Sequence, residues 1–221
     1  MYKPFHKKEK QERREKERGF TLVELVVVVG IMSVIMLLVF FNSKRFNDDL
    51  NLRTAATEIS LALRQAQSFG VSVRESNCTA GGSFCAPYGA VFDLTNSKYS
   101  FIYSDTDNDR IYDGTLACTG SDECREKNIL RGSVVVNRLC ATALSGGAVN
   151  CFPANNLRYM VLTYVRPNPE PVIKVFNSAN TEIAGGPWKT AYVELKSLNG
   201  TLMYVTTDSV SGVITLQNTM P

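Results

Sequence analysis

The stretch that decides the fold is Phe20 to Phe41, which reads FTLVELVVVVGIMSVIMLLVFF and contains one charged residue, Glu24. As a helix it would be about 33 Å long, enough to cross the hydrocarbon core of a membrane. No comparable second run follows in the 221 residues. We therefore expect one membrane helix, and the sequence excludes both a soluble cytosolic protein and a polytopic transporter.

The positive charge of the chain lies ahead of this apolar run. Residues 1–19 carry eight Lys or Arg and four Glu, a net charge of +4, whereas the whole chain has a net charge of +3. A basic segment next to a membrane helix stays on the cytoplasmic side. Because the rest of the chain is nearly neutral, its net charge does not support nucleic-acid binding.

Two ordinary interpretations of this region are a secretory signal peptide and a plain membrane anchor. A signal peptide has a shorter apolar run and a small-residue cleavage site after it, whereas here the polar residues 42–45 (NSKR) follow. A plain anchor does not explain Glu24, because a carboxylate inside a membrane costs free energy and usually has a partner.

The sequence GFTLVEL at residues 19–25, after a basic leader and at the start of a long apolar helix, resembles the processing site of type IV prepilins and type II secretion pseudopilins. The resemblance implies that a prepilin peptidase cleaves after Gly19 and that the new amino-terminal Phe20 is N-methylated. It also implies that Glu24 pairs with the terminal amine of a neighbouring subunit and so sets the axial register between subunits. A snorkelling Glu24 without a partner is the alternative.

The helical pattern continues after the apolar run, although the composition becomes polar. Apolar residues recur at spacings of three and four, at Leu52, Ala55, Ala56, Ile59, Leu63 and Ala66. We expect one helix over about 21–69, apolar all round in 20–41 and one-sided in 42–70, with Gly70 as its carboxyl-terminal cap. The one-sided part covers too few heptads for a coiled coil, and its small residues suit packing against a sheet. Residues 62–68 (ALRQAQS) also resemble a stretch of GspH/FimT-like pseudopilins and minor pilins.

The remainder, residues 71–221, is predicted to be a globular β-rich domain. Short stretches of β-branched and aromatic residues, separated by turn signals such as Asn199-Gly200, predict strands at 71–75, 88–94, 98–103, 133–136, 157–165, 171–176, 191–195, 202–205 and 212–216. The expected fold class is therefore α+β, with a long amino-terminal helix packed on an antiparallel sheet domain, as in pilins.

All six cysteines lie beyond the membrane segment, at Cys78, Cys85, Cys118, Cys124, Cys140 and Cys151, in loop-like stretches. An even number outside the membrane predicts disulfides in an oxidising compartment. The connectivity is open, and nearest-neighbour pairing is the simplest because each bridge would close one loop. Zinc is the alternative, but it requires closer spacing, and the single histidine is His6 in the leader.

The candidate metal site is the sequence DTDNDRIYDG at residues 105–114. Four carboxylates and one backbone carbonyl can form an oxygen cage for Ca²⁺ like the first nine positions of an EF-hand loop, namely Asp105, Asp107, Asp109, Ile111 (carbonyl) and Asp113. Arg110 stands where that motif has its turn glycine, and Leu116 stands where it has its last Glu. The alternative is an acidic turn whose carboxylates accept backbone N–H groups.

Catalysis is not expected, because the chain beyond the leader contains no histidine and no recognisable nucleophile, phosphate-loop or zinc-protease motif. The favoured function is a minor pilin or pseudopilin that primes or tips a fibre, since large loops and six cysteines suit a specialised subunit. A major pilin, and a module that binds DNA, a surface or secreted cargo, are the alternatives. DNA binding is disfavoured because the basic residues of the last third are dispersed, at Arg158, Arg166, Lys174, Lys189 and Lys196.

The expected partners are the prepilin peptidase, other pilin subunits and the inner membrane. Before assembly the chain would cross that membrane once, with the leader in the cytoplasm and the β-domain outside. After assembly it would lie in a pilus or pseudopilus, where its apolar helix packs with those of other subunits.

Overall fold

The computed structural model describes residues 19–72, 87–114, 118, 123–147, 149–152, 157–179 and 181–220. The chain divides into two compact units, Met1–Ser43 and Lys44–Pro221. One helix, α1 (Leu22–Val71), begins in the first unit and ends in the second. Within the described chain, it is the one helix that is long and apolar enough to cross a membrane.

The first half of α1 is exposed on all sides. Every large apolar side chain from Phe20 to Phe40 is at least 48% exposed. An exposed apolar surface of this size is not stable in water and must be covered by lipid or by another protein. The predicted membrane-type segment is therefore present, and the hydrophobic cores of the described residues do not include its side chains.

The second half of α1 is buried on one side. The six apolar residues of the predicted stripe, from Leu52 to Ala66, are each at most 1% exposed. They form the main hydrophobic core together with residues from both sheets of the second unit. The prediction that a small-residue helix face packs against a sheet is confirmed.

Ten strands follow within the described residues: β1 (Tyr88–Asp93), β2 (Tyr99–Ser104), β3 (Cys124–Ile129), β4 (Val135–Ala143), β5 (Asn150–Phe152), β6 (Leu157–Tyr164), β7 (Pro171–Asn177), β8 (Trp188–Lys196), β9 (Leu202–Asp208) and β10 (Ile214–Gln217). They form two five-stranded sheets, in the orders β3-β2-β1-β6-β7 and β10-β9-β8-β4-β5. All of these pairings are antiparallel, which confirms the α+β fold class.

Three features of the secondary structure differ from the sequence prediction. Val71 ends α1 and does not begin a strand, and most of the strand predicted at 71–75 lies outside the described residues. The strands β3 and β5 were not predicted. The sequence of β3, CREKNI, is polar because this strand lies at the edge of its sheet and is largely exposed, so its pairing with β2 makes it a strand.

Gly70 does not cap the helix as predicted. It lies inside α1, where an added Cβ would stand 2.5 Å from the Cβ and 2.7 Å from the carbonyl oxygen of Tyr164 in β6. Contacts that short do not occur between real side-chain and backbone atoms. The glycine is required because α1 and β6 approach each other closely at this point.

A second, smaller core covers the outer face of the first sheet. Alternation along β1 places Ala90 and Phe92 in the main core and Val91 in the second core. The second core is rich in aromatic residues, and Ile111 and Tyr112 from the loop between β2 and β3 pack against it. That loop contains the predicted metal-binding residues, so the sheet positions the candidate site.

Two disulfides are described, Cys118–Cys124 and Cys140–Cys151. Both follow the predicted nearest-neighbour pairing, and Cys78 and Cys85 lie outside the described residues. The prediction that the cysteines lie in loops is wrong for three of them. Cys124, Cys140 and Cys151 lie in β3, β4 and β5, and the second bridge joins residues directly opposite each other in neighbouring strands.

Candidate functional sites: the start of the helix and the acidic loop

The start of α1 is organised by Thr21. The hydroxyl oxygen of Thr21 accepts a hydrogen bond from the backbone N–H of Glu24 at 3.3 Å, and its carbonyl accepts one from Leu25 at 3.2 Å. Thr21 is therefore the amino-terminal cap of the helix, and Glu24 occupies the third helical position, where a Glu suits a capping box and the helix dipole. This role was not predicted from the sequence, although the Thr-x-x-Glu spacing was a signal for it.

The predicted cleavage site lies just before the helix. Gly19 and Phe20 have no regular secondary structure, and apart from Gly19 and its chain neighbours no atom of the described residues lies within 4 Å of a Cβ built on Gly19. Phe20 is 80% exposed. The peptide bond between them is therefore open to an approaching protease, and the basic residues 1–18 of the leader lie outside the described residues.

Glu24 is exposed on the first turn of α1. The ion pairs recorded within the described chain do not include it. Its pairing with the terminal amine of a neighbouring subunit stays a prediction.

The acidic loop (residues 105–114) lies between β2 and β3 and brings together three of the four predicted carboxylate ligands. One carboxylate oxygen from each of Asp105, Asp107 and Asp109 lies within 4.8 Å of the corresponding oxygens of the other two. Asp113 is not part of this group, and its backbone N–H donates instead to Glu123 at 3.0 Å. The backbone N–H of Ile111 donates to Asp109 at 2.6 Å.

The turn of the acidic loop is made without a glycine. Asn108 and Arg110 have φ values of 67° and 62°, in the left-handed region. Arg110 thus adopts the backbone conformation that favours glycine, so the departure from the EF-hand pattern at this position does not prevent a sharp turn. The predicted alternative is also seen in part, because Asp105, Asp107 and Asp109 each accept a hydrogen bond from a backbone N–H of the loop.

Glu123 also belongs to this site and was not predicted from the sequence. One of its carboxylate oxygens accepts hydrogen bonds from the N–H and hydroxyl of Thr106, at 2.8 and 3.3 Å, and the other accepts from the N–H of Asp113. Glu123 therefore joins the two ends of the acidic loop. Its own backbone carbonyl accepts a hydrogen bond from Ser104 at 2.9 Å, and the disulfide to Cys118 begins at the next residue.

The acidic loop and Glu123 bring several carboxylates together in a region that is partly buried. Burial is the largest cause that raises the pKa of Asp105 to about 6, and the nearby Asp107 and Asp109 contribute to the same shift. Burial likewise raises the pKa of Glu123 to about 7, with contributions from Asp105 and Asp107. Burial also raises the pKa of Asp113. Shifts in this direction mean that the ionised forms are disfavoured unless positive charge is supplied.

Comparison with known proteins bears on the first of these two sites. Residues 14–40 match the family model described as the prokaryotic N-terminal methylation motif. No curated protein and no solved structure shows a significant match to the chain. The finer resemblance to the GspH/FimT-like group therefore stays a prediction.

The matched segment contains the predicted cleavage site, the Thr21 cap, Glu24 and most of the exposed apolar half of α1. It implies processing by a prepilin peptidase and assembly with other pilins. The apolar helix is consistent with an anchor in the inner membrane. The prepilin-type motif, followed by a helix and a β-sheet domain, supports a precursor of the type IV pilin or pseudopilin class.

Proposed function

We propose that this protein is a minor pilin or pseudopilin, a specialised subunit that primes or tips a type IV pilus or a type II secretion pseudopilus. The observation that carries the proposal is the exposed apolar surface of residues 20–40, which follows an accessible Gly19–Phe20 bond. Lipid covers such a surface before assembly, and the helices of neighbouring subunits cover it afterwards. Packing of this kind is the basis of a helical fibre core.

The choice of a minor subunit over a bulk shaft subunit is supported by the β-domain. An aromatic second core and a disulfide-closed loop are built onto the outer face of its first sheet. A shaft subunit contributes mainly through its helix and through contacts repeated along the fibre. Extra structure on a sheet face suits a subunit present in few copies with a local task.

DNA binding is not part of the proposal. Two of the five basic residues of the last third, Arg158 and Lys174, form ion pairs with Asp93 and Glu182, at 3.7 and 3.6 Å. Their charge is partly neutralised within the domain. A salt-dependent shift of labelled DNA by the full-length protein would contradict this exclusion.

Processing tests the pilin-like part of the proposal. When the chain is expressed with a prepilin peptidase, mass spectrometry of the mature protein should show Phe20 as the first residue, with one added methyl group. Gly19→Arg should leave the leader attached, because a side chain prevents close approach of the peptidase to this backbone. Gly30→Ala is the matched control and should be processed normally, since nothing lies within 4 Å of its Cβ position. A mature protein that begins elsewhere would refute the proposal.

Copy number tests the minor role. In purified fibres, quantitative mass spectrometry should find far fewer copies of this chain than of the principal subunit. If this chain is itself the principal subunit, the alternative of a major pilin is correct.

A further inference from the structure

We propose that the acidic loop binds one Ca²⁺ ion through Asp105, Asp107 and Asp109, and that the Cys118–Cys124 disulfide strengthens this binding by holding Glu123 across the loop. The proposal does not depend on the pilin-like function, because the site lies wholly within the second unit.

The spacing of the three carboxylates fits a single hard cation. Ca²⁺ binds oxygen atoms at about 2.3–2.6 Å, so two oxygens on the same ion are separated by no more than about 5 Å. The oxygens of Asp105, Asp107 and Asp109 already lie within 4.8 Å of one another. Only small side-chain adjustments are needed to bring them onto one ion, and the exposed Asp107 and Asp109 leave room for water ligands.

A buried oxygen without a partner points independently to a ligand. Asp105 is fully buried. Its Oδ2 accepts a hydrogen bond from the N–H of Arg110 at 2.9 Å, whereas its Oδ1 has no hydrogen-bond partner within the described chain. An ionised carboxylate oxygen in this position loses its hydration without compensation. A cation held jointly with Asp107 and Asp109 would supply the missing interaction.

Lys174, a basic residue that contacts the loop, does not take that role. The ammonium of Lys174 donates to the backbone carbonyl of Asp109 at 3.2 Å and pairs with Glu182 at 3.6 Å. It therefore contacts the backbone of the loop and a carboxylate outside the cluster. A lysine in this place also helps to anchor the loop on β7, which contains Lys174.

Glu123 acts as a positioning residue for the cation site. By accepting N–H groups of Thr106 and Asp113, it ties the start of the acidic loop to its end. Cys124 is 1% exposed, and its bridge to Cys118 restricts the chain that carries Glu123. A loop whose ends are held before binding loses less conformational entropy when the ion arrives. Opening the bridge should therefore weaken binding without removing any ligand.

Calorimetric titration of the full-length protein in detergent, oxidised and stripped of metal with a chelator, tests the site. We expect one saturable Ca²⁺ site per chain with Kd between about 10⁻⁵ and 10⁻³ M, and weaker binding of Mg²⁺. Asp107→Asn with Asp109→Asn should weaken Ca²⁺ binding about tenfold or more, because both charges of the exposed ligands are lost. Asp48→Asn with Asp49→Asn removes the same charge from α1 and should leave binding unchanged. Absence of saturable binding at millimolar Ca²⁺, or equal loss in both double variants, would overturn the site.

The second part of the proposal is tested by opening one bridge at a time. Cys118→Ser with Cys124→Ser should raise the Kd for Ca²⁺ about three- to tenfold by loss of preorganisation. Cys140→Ser with Cys151→Ser opens the other described bridge and should leave Kd unchanged. Glu123→Gln, which keeps the size of the side chain, should weaken binding in the same direction as opening Cys118–Cys124 and covers the case in which the cysteine variant does not fold. Equal Kd values for wild type, the Glu123 variant and both folded cysteine variants would overturn the coupling.

Discussion

The two halves of α1 belong to one helix and have opposite surroundings. In the first half, the large apolar side chains are at least 48% exposed, whereas the apolar stripe of the second half is at most 1% exposed. The partners of the second half are the two sheets of its own domain. No partner of the first half lies within the described chain, so its cover comes from lipid or other molecules. Substitution of an apolar residue should therefore impair assembly when the residue lies in the first half and folding when it lies in the second half.

Substitution of one glutamate in each half of α1, Glu24 and Glu58, should give the largest difference in entry into fibres. Glu24→Val should reduce entry of the protein into fibres about tenfold or more, because it removes one member of the predicted ion pair between subunits, and such a loss in a buried pair costs about 3–5 kcal/mol. Its melting temperature should not change. Glu58→Val, in the second half, removes a partly exposed ion pair with Arg131 at 2.7 Å and should cost about 1 kcal/mol of stability, with normal entry. Immunoblots of sheared fibres measure entry, and equal entry of Glu24→Val and wild type would disprove the register role.

A pair of leucines contrasts burial directly. Leu63 is fully buried, so Leu63→Ala should lower the free energy of unfolding of the β-domain by about 2–5 kcal/mol through lost contacts and a cavity. Leu38 is 68% exposed, and Leu38→Ala should leave that free energy unchanged. Urea unfolding of both variants in detergent, followed by tyrosine fluorescence, provides the measurement. Similar destabilisation by both substitutions would mean that the first half also packs on the domain.

A pair of glycines contrasts the space around the two halves. Gly70→Ala should destabilise the domain by about 1–3 kcal/mol, because its Cβ meets Tyr164 at 2.5 Å. Gly30→Ala meets nothing within 4 Å and should stabilise the helix by up to about 1 kcal/mol. Thermal unfolding monitored by circular dichroism distinguishes the expected destabilisation by Gly70→Ala from the expected stabilisation by Gly30→Ala. A stabilising Gly70→Ala would show that α1 and β6 move apart at little cost.

A buried carboxylate with partners inside the domain is the counterpart of Glu24. Glu194 in β8 is fully buried, and burial alone would raise its pKa, but hydrogen bonds from Arg138 and Asn137 outweigh burial and lower its pKa below the usual 4.5. Its stabilisation is therefore complete above about pH 4.5 and disappears as the pH falls through the lowered value.

Glu194→Gln should cost about 1 kcal/mol at pH 7, because charge-assisted hydrogen bonds are exchanged for neutral ones. The difference from wild type should shrink as the pH approaches 3. Urea midpoints at pH 7, 5 and 3 measure it, with Glu182→Gln as the control because that glutamate is half exposed. A difference that is independent of pH would exclude an ionised Glu194 as its source.

The acidic loop shows how far the sequence predicts a site. The alternating aspartates predicted Asp105, Asp107 and Asp109 as ligands, and the structure places carboxylate oxygens of these three residues close together. Glu123 could not be found in this way, because the chain must first pair β2 with β3 before that carboxylate reaches Thr106 and Asp113. The lack of a hydrogen-bond partner for Oδ1 of Asp105 within the described chain is likewise a consequence of burial, which a short sequence pattern does not predict.

The sequence by itself determined the membrane-type helix, its apolar stripe and the prepilin-type motif, and it left the disulfide connectivity open, with nearest-neighbour pairing as the simplest choice. Each of these depends on residues close together in the chain, through helical periodicity, charge or short loop closure. Tertiary structure alone decided the strands β3 and β5 and the close approach of Gly70 to Tyr164. It also decided the hydrogen bonds by which Glu123 joins the two ends of the acidic loop. These depend on contacts between residues far apart in sequence, which exist only after two sheets and a helix have packed around one core and excluded water from it.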